Sequence, residues 1–214
     1  MAQSISSIWR VFEKRYSVSH EQLEKFKHYV QALQTWREFG NITALTDEQS
    51  IVELHFEDSL AVTHHQDFSH VHAIADIGSG GGFPGIPLAI IYPHLTVYLI
   101  EVKHKKIAFL EQLVNQLGLS QVVIVPLDWR TFLRKTNHPI DIFCARASLA
   151  ITELIRMFKP SCLYNKSTLF YWASHDWQAP KHAQPYIKQE WSYFVGGRNR
   201  RIITLQKDTT NQNG

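Results

Sequence analysis

The chain has 214 residues, of which 44% are hydrophobic, 12% aromatic and 19% charged; this is enough apolar material for a substantial core and excludes wholesale disorder, collagen-like and coiled-coil architectures. Two cysteines, Cys144 and Cys162, lack the clustered spacing of a zinc or iron-sulfur centre and read as free, reduced and structural. The net charge of +3 is uneven, because residues 181–214 carry +4 and the remainder −1. Such a basic end is either a polyanion contact or a solubilising surface.

Charges interrupt the N-terminal segment where a secretory signal needs an apolar run, so a cytoplasmic protein is expected. Residues 5–39 then carry apolar side chains at helical spacing and predict two helices. Ser19 with Gln22 resembles a capping box opening the second, and Gly40-Asn41 offers a stop. A third helix is expected from Glu48 to Val62, with His55 and Asp58 on one face. His64, His65, His70 and His72 follow in a polar linker without a ligand pattern, so no metal site is expected. Together these segments form a helical cap, residues 1–71.

From residue 72 strands and helices alternate. HAIADIG (72–78) reads as a buried strand, FPGIPLAIIY (83–92) as a helix with Pro84 in its first turn, and LTVYLIE (95–101) as a strand. KHKKIAFLEQLVNQLG (103–118) follows as an amphipathic helix ending at Gly118, and VVIVPL (122–127) as a third strand. A short helix near Trp129–Leu133, a strand over 139–145, a helix over 149–158 and a fifth strand over 167–173 come next. The runs EWSYFVGG and RRIITLQ, joined through Gly196-Gly197, predict an antiparallel pair. This order predicts an α/β, Rossmann-like domain over 72–207: a mostly parallel seven-stranded sheet with helices on both faces and an antiparallel C-terminal hairpin. Residues 208–214 read as a polar tail.

The sharpest motif is Asp76-Ile77-Gly78-Ser79-Gly80-Gly81-Gly82-Phe83-Pro84-Gly85. Glycines after a first strand and before a helix let backbone approach a ligand, which points to a nucleotide-type cofactor. Glu101, ending the second strand, stands where an acid binds a ribose diol. Both features suit a dinucleotide as well as S-adenosylmethionine. Taken alone, His55 and Asp58 read as a packed hydrogen bond or salt bridge.

ITALTDEQSIVELHFEDSLAV followed by DIGSGGGFPGIPLAI resembles the glucose-inhibited division protein B family (GidB, or RsmG), S-adenosylmethionine-dependent methyltransferases acting on guanine N7 in small-subunit (16S) ribosomal RNA. The resemblance runs from about Phe39 to Ala147, and its two dense blocks together set aside a nicotinamide-dependent oxidoreductase. It implies S-adenosyl-L-methionine as cofactor, held by Gly78, Gly80, Gly82, Phe83, Glu101, Trp129, Arg130 and Arg146. It also implies a catalytic rim of Asn41, Thr43, His55, Asp58 and Arg146, with Arg146 at the pocket mouth. The partner would be 16S ribosomal RNA, a small subunit or an assembly intermediate, met by a monomer. Lys103, Lys105, Lys106, Arg198, Arg200 and Arg201 are candidates for the RNA backbone, and Trp129 and Trp172 for base stacking. The chain departs from the family where Asp128-Trp129-Arg130 reverses an Arg-x-Glu pattern and where Tyr171–Ser174 replaces a Lys-Gly. Those departures leave open a catalytically weakened or inactive cofactor-binding ribosome-assembly protein.

Overall fold

A computed structural model describes residues 2–36, 39–40 and 42–208. Helices α1 (Ala2–Tyr16) and α2 (His20–Thr35) open the chain. Ser19 Oγ accepts from Gln22 N–H and the Gln22 side chain returns to Ser19 N–H, the reciprocal capping expected from the sequence. On α2, Leu23, Phe26, Tyr29, Val30 and Leu33 recur at three and four and are all buried. The helix ends at Thr35, where Trp36 N–H reaches Ala32 O, and so stops before the Gly40-Asn41 stop. Asn41 lies outside the described residues.

The expected third helix is not uniform. It runs as α3 (Glu48–Ile51), a π turn (Val52–Glu57), α4 (Asp58–Leu60) and a 3-10 turn (Ala61–His64). Phe56, in the π turn, meets the rings of Trp9, Phe12, Phe26, Tyr29 and Phe83 at 4.9–6.5 Å between centroids. Helical spacing in sequence reports a buried face but does not distinguish 3.6 residues per turn from one widened turn.

The sheet comprises β1 (Ala73–Ile77), β2 (Thr96–Ile100), β3 (Val122–Val125), β4 (Ile142–Arg146), β5 (Thr168–Ser174), β6 (Ile187–Val195) and β7 (Arg198–Leu205), in the order β3-β2-β1-β4-β5-β7-β6. The first five strands pair in parallel, and β7 joins β5 and β6 in antiparallel register. Between them run α5 (Gly85–Ile91), α6 (His104–Gln116), α7 (Trp129–Lys135) and α8 (Ile151–Leu154). Pro84 caps α5 instead of forming its first turn, and the helix expected over 149–158 divides into α8 and a 3-10 turn (Ile155–Phe158).

Alternation along the strands feeds two cores. Ile74, Val97, Leu99, Cys144, Phe170 and Trp172 face α2, α5, α6 and the helical cap, while Ala75, Ile77, Phe143 and Ala145 face α7, α8 and Tyr164. Cys144 is buried and neither cysteine is in a disulfide. Strand order reverses at β1, so a crevice opens beside the carboxyl ends of β1, β2 and β4.

Candidate active site

That crevice has a volume of about 570 Å³ and is lined by Gly78, Glu101, Val102, Lys103, Lys106, Trp129, Arg130, Ser148, Leu149 and neighbouring residues of the same loops. Its floor is the glycine loop. Gly78 (φ +68°) and Ser79 donate to Ile100 O at 2.8 and 3.1 Å, and a Cβ at Gly78 would stand 2.7 Å from Ser148 Cβ. Any side chain there would therefore collide with the loop after β4. Glu101 is buried just beyond β2. Its Oε2 accepts from Gly80 N–H at 3.0 Å, and its Oε1 from Val102 and Lys103 N–H at 2.8 and 3.0 Å. Three backbone donors fix the carboxylate and leave about one lone pair for a hydroxyl.

On the far wall Trp129 is buried and donates Nε1–H to Glu153 O at 2.9 Å. Val102 and Leu149 remain 50% and 36% exposed in the cleft, unusual for aliphatic side chains and suited to flanking a flat ring. An adenosine fits this donor set: a carboxylate for a diol, aliphatic plates for a base, and backbone without side chains for close approach. The charge reversal after β3 has a local cause. Asp128 caps α7, accepting from Thr131 N–H at 3.0 Å and Thr131 Oγ1–H at 2.6 Å, while Arg130 Nε bonds Glu153 Oε2 at 2.8 Å.

Beside the cleft a polar network joins the cap, β4 and the hairpin. Arg146 turns inward, with Nη1 donating to Asp58 Oδ2 at 2.7 Å and Leu54 O at 3.0 Å, and Nη2 donating to His55 Nδ1 at 2.9 Å. The π turn makes this possible. Asp58 N–H turns to Glu53 O and His55 O, so Leu54 O, its partner in a regular α-helix, accepts from Arg146. Arginine has only donors, so His55 Nδ1 is an acceptor and Nε2 carries the hydrogen, which goes to Thr43 Oγ1 at 2.6 Å. Burial, and then Arg146, push the imidazole pKa down to about 3, and the ring is neutral. His55 stacks on Phe83 at 4.3 Å and Phe83 on Tyr29 at 5.2 Å. Tyr29 in turn donates to Gly81 O, so the stack ties α2 to the glycine loop.

Asp58 is the hub. Besides Arg146 it accepts Tyr193 O–H at 2.6 Å and lies 3.3 Å from Arg200 Nε, and its carbonyl takes Trp172 Nε1–H at 2.8 Å. Ala147, with φ +51°, turns the chain directly after Arg146, a conformation that costs a non-glycine residue on the order of 1 kcal/mol. It lets Arg146 point to the cap while Ser148 covers Gly78. Beneath the loop Asp76 accepts from Gly85 N–H at 2.9 Å and leaves Oδ1 unpartnered; burial pushes its pKa up to about 7.

The sequence-expected residues thus divide. Gly78, Glu101, Trp129, Arg130, Lys103 and Lys106 line the cleft, whereas Thr43, His55, Asp58, Phe83 and Arg146 form the adjoining network. Arg146 is not at the mouth: its side chain is 11% exposed, because every partner it has lies inward. Trp129 and Trp172 are buried: Trp129 forms part of the cleft wall and Trp172 belongs to the core beneath the cap, so neither stands open as a stacking platform on the surface. Lys105 is exposed at the start of α6. Arg200 pairs with Asp58, and Arg201 pairs with Glu190 at 3.1 Å and donates to Trp177 O, which leaves Arg198 exposed at the turn. Sequence reasoning missed Ser148, Leu149, Val102 and Tyr193; their types are ordinary, and only the strand-end loops bring them to the site. Among the described residues no group of three or more His, Cys, Asp or Glu could hold a metal ion, and no helix is long and apolar enough to cross a membrane.

Comparison with known proteins gives this arrangement a family. Residues 22–193 match the GidB family model, described as rRNA small subunit methyltransferase G. The chain is 37% identical over 153 residues to ribosomal RNA small subunit methyltransferase G of Halalkalibacterium halodurans, covering 71% of this chain and 64% of that protein. Against the Listeria monocytogenes protein of the same name it is 31% identical over 213 residues, covering 94% and 90%. With Halalkalibacterium and Geobacillus relatives alike, the match spans a little under two thirds of the relative's length. Among solved structures, a variant of MtNAS in complex with S-adenosylmethionine superposes with a TM-score of 0.55 at 13% identity, over 95% of this chain and 78% of that one. TrmK of M. capricolum in complex with S-adenosyl-homocysteine gives 0.51 at 18%, over 67% of each chain. These likenesses concern the fold. With a family model matched from α2 through the glycine loop into β6, the chain belongs to the rRNA small subunit methyltransferase G family.

Proposed function

We propose that this chain transfers a methyl group from S-adenosylmethionine to N7 of a guanine in small-subunit ribosomal RNA. It would act as a monomer in the cytoplasm on the RNA, the small subunit or an assembly intermediate. The observation that carries the reading is the strand-end cleft floored by Gly78 and edged by Glu101 and Ser148, in a chain of this family.

Glu101 offers its remaining lone pair to a ribose hydroxyl, Val102 and Leu149 flank the adenine, and Gly78 leaves room for the backbone-proximal portion. When bound, the cofactor supplies a methyl group on an electrophilic sulfonium. Guanine N7 has an in-plane lone pair and no proton, so the chain must position it without deprotonating it. His55 is accordingly no general base: Arg146 occupies its Nδ1 lone pair and the ring stays neutral. Thr43 accepts from His55 and from Leu45 N–H, which leaves its hydroxyl hydrogen as a donor at the rim. Positioning of this kind is worth roughly 7–11 kcal/mol of barrier. At the departures, Asp128 caps α7 and Arg130 pairs with Glu153, and both residues line the cleft.

The test is to incubate purified small subunits, and separately their RNA, with methyl-labelled S-adenosylmethionine. Incorporation is expected on one or both. Binding of cofactor and RNA without incorporation would overturn the enzymatic reading in favour of an assembly protein.

A further inference from the structure

On the sheet face opposite the helical cap, α7 and the segment after α8 enclose a groove of about 570 Å³ lined by Arg130, Arg134, Arg156, Lys159, Leu133 and Leu163, with Ser161 and Cys162 at one end. Its charge is unbalanced. One carboxylate, Glu153, serves the groove and is shared by Arg130 at 2.8 Å and Arg156 at 3.0 Å, while Asp128 is turned onto Thr131. Arg134 is exposed and donates to Arg130 O and Thr131 Oγ1. Lys159 is exposed, and among the described residues neither it nor Arg134 has a carboxylate within ion-pairing distance. Leu163 stands 72% exposed beside them.

The groove adjoins the cleft, because Arg130 lines both. We propose that it is a phosphodiester-binding site, holding the backbone of the RNA strand that extends past Arg130 from the methylation cleft, with Arg134 and Lys159 as its exposed cations. This rests on the RNA-methyltransferase reading. Guanidinium and ammonium groups along an open groove are the groups that bind phosphates, and the shared wall with the cleft favours the substrate strand over an acidic protein.

The experiment measures binding of protein-free small-subunit RNA and of intact small subunits across a salt series, for the unaltered chain and for Arg134→Gln/Lys159→Gln, with S-adenosylmethionine affinity and Tm alongside. The double variant is expected to bind RNA about tenfold more weakly at low salt. Its log–log salt slope should be shallower by about 1.5, since each phosphate contact contributes roughly 0.7–0.9. Cofactor affinity and Tm should not change. Unchanged RNA affinity and slope would overturn the proposal, as would weakened binding to subunits with unchanged binding to naked RNA, which would point to a ribosomal protein. If the unaltered chain incorporates no methyl group while the binding difference persists, the activity fails and the groove stands.

Discussion

In the β6–β7 hairpin Arg200 lies 3.3 Å from Asp58 and Arg201 3.1 Å from Glu190, whereas across the sheet Arg134 and Lys159 are exposed and, among the described residues, neither forms an ion pair with a carboxylate. The hairpin is the conspicuous basic region of the sequence, yet two of its three clustered arginines are committed within the fold. The cations of the groove are scattered over thirty positions of sequence and gather only when α7 packs against the segment after α8. Charge density along a chain therefore measures neither the availability of charge nor its place; both depend on where the carboxylates fold.

If the hairpin arginines and Arg146 serve structure, removing their shared acceptor should have the largest effect. Asp58→Ala leaves Arg146 and Arg200 facing a vacated buried site and is expected to cost about 3–5 kcal/mol in denaturant unfolding; a loss under about 1 kcal/mol would break the contrast between the two regions. The network also predicts a pH signature. The unfolded chain protonates His55 near pH 6.5, but the folded chain keeps it neutral down to about 3. Protons bound only by the unfolded state lower stability as pH falls. From pH 6.5 to 5, Asn in place of His55 should therefore gain about 2 kcal/mol relative to the unaltered chain. Asp76 works in the opposite sense. The folded chain holds its proton up to about pH 7, the unfolded chain releases it near 4, and stability falls as pH rises between them. Asp76→Asn should thus gain a similar amount between pH 5 and 7, measured by the same melts.

On the cleft side, Glu101→Gln should weaken S-adenosylmethionine binding by about tenfold in calorimetry, within the range for a hydrogen bond to a charged group. Smallest of all, Arg198→Gln is expected to change Tm by less than the effect of about 0.5 kcal/mol typical of exposed sites. Its effect on RNA affinity should fall below that of the groove pair.

Much of the architecture was legible because it is local. Ser19 and Gln22 announced the start of α2, the glycine loop followed an apolar run, and Gly196-Gly197 joined two alternating segments. Glu101 was marked by its place at the end of the second strand. What escaped was set by tertiary partners. Nothing in VELHFE announces a π turn, and the partner it frees Leu54 O to meet, Arg146, lies far along the chain. The family resemblance implied Arg146 at the pocket mouth, and its inward turn depends on Asp58 and His55 lying opposite. Ser148 and Leu149 carry no signal in sequence, and they reach the cleft through the bend at Ala147.

The proposed reaction needs a site that positions a nucleophile and removes no proton from it. Mapping the labelled methyl group in small-subunit RNA tests this directly. Label at N7 of a guanine, which carries no proton to remove, is the predicted result. Label on an exocyclic amine or a ribose hydroxyl would demand a proton acceptor that His55, bonded through Nδ1 to Arg146, does not supply, and would contradict the account.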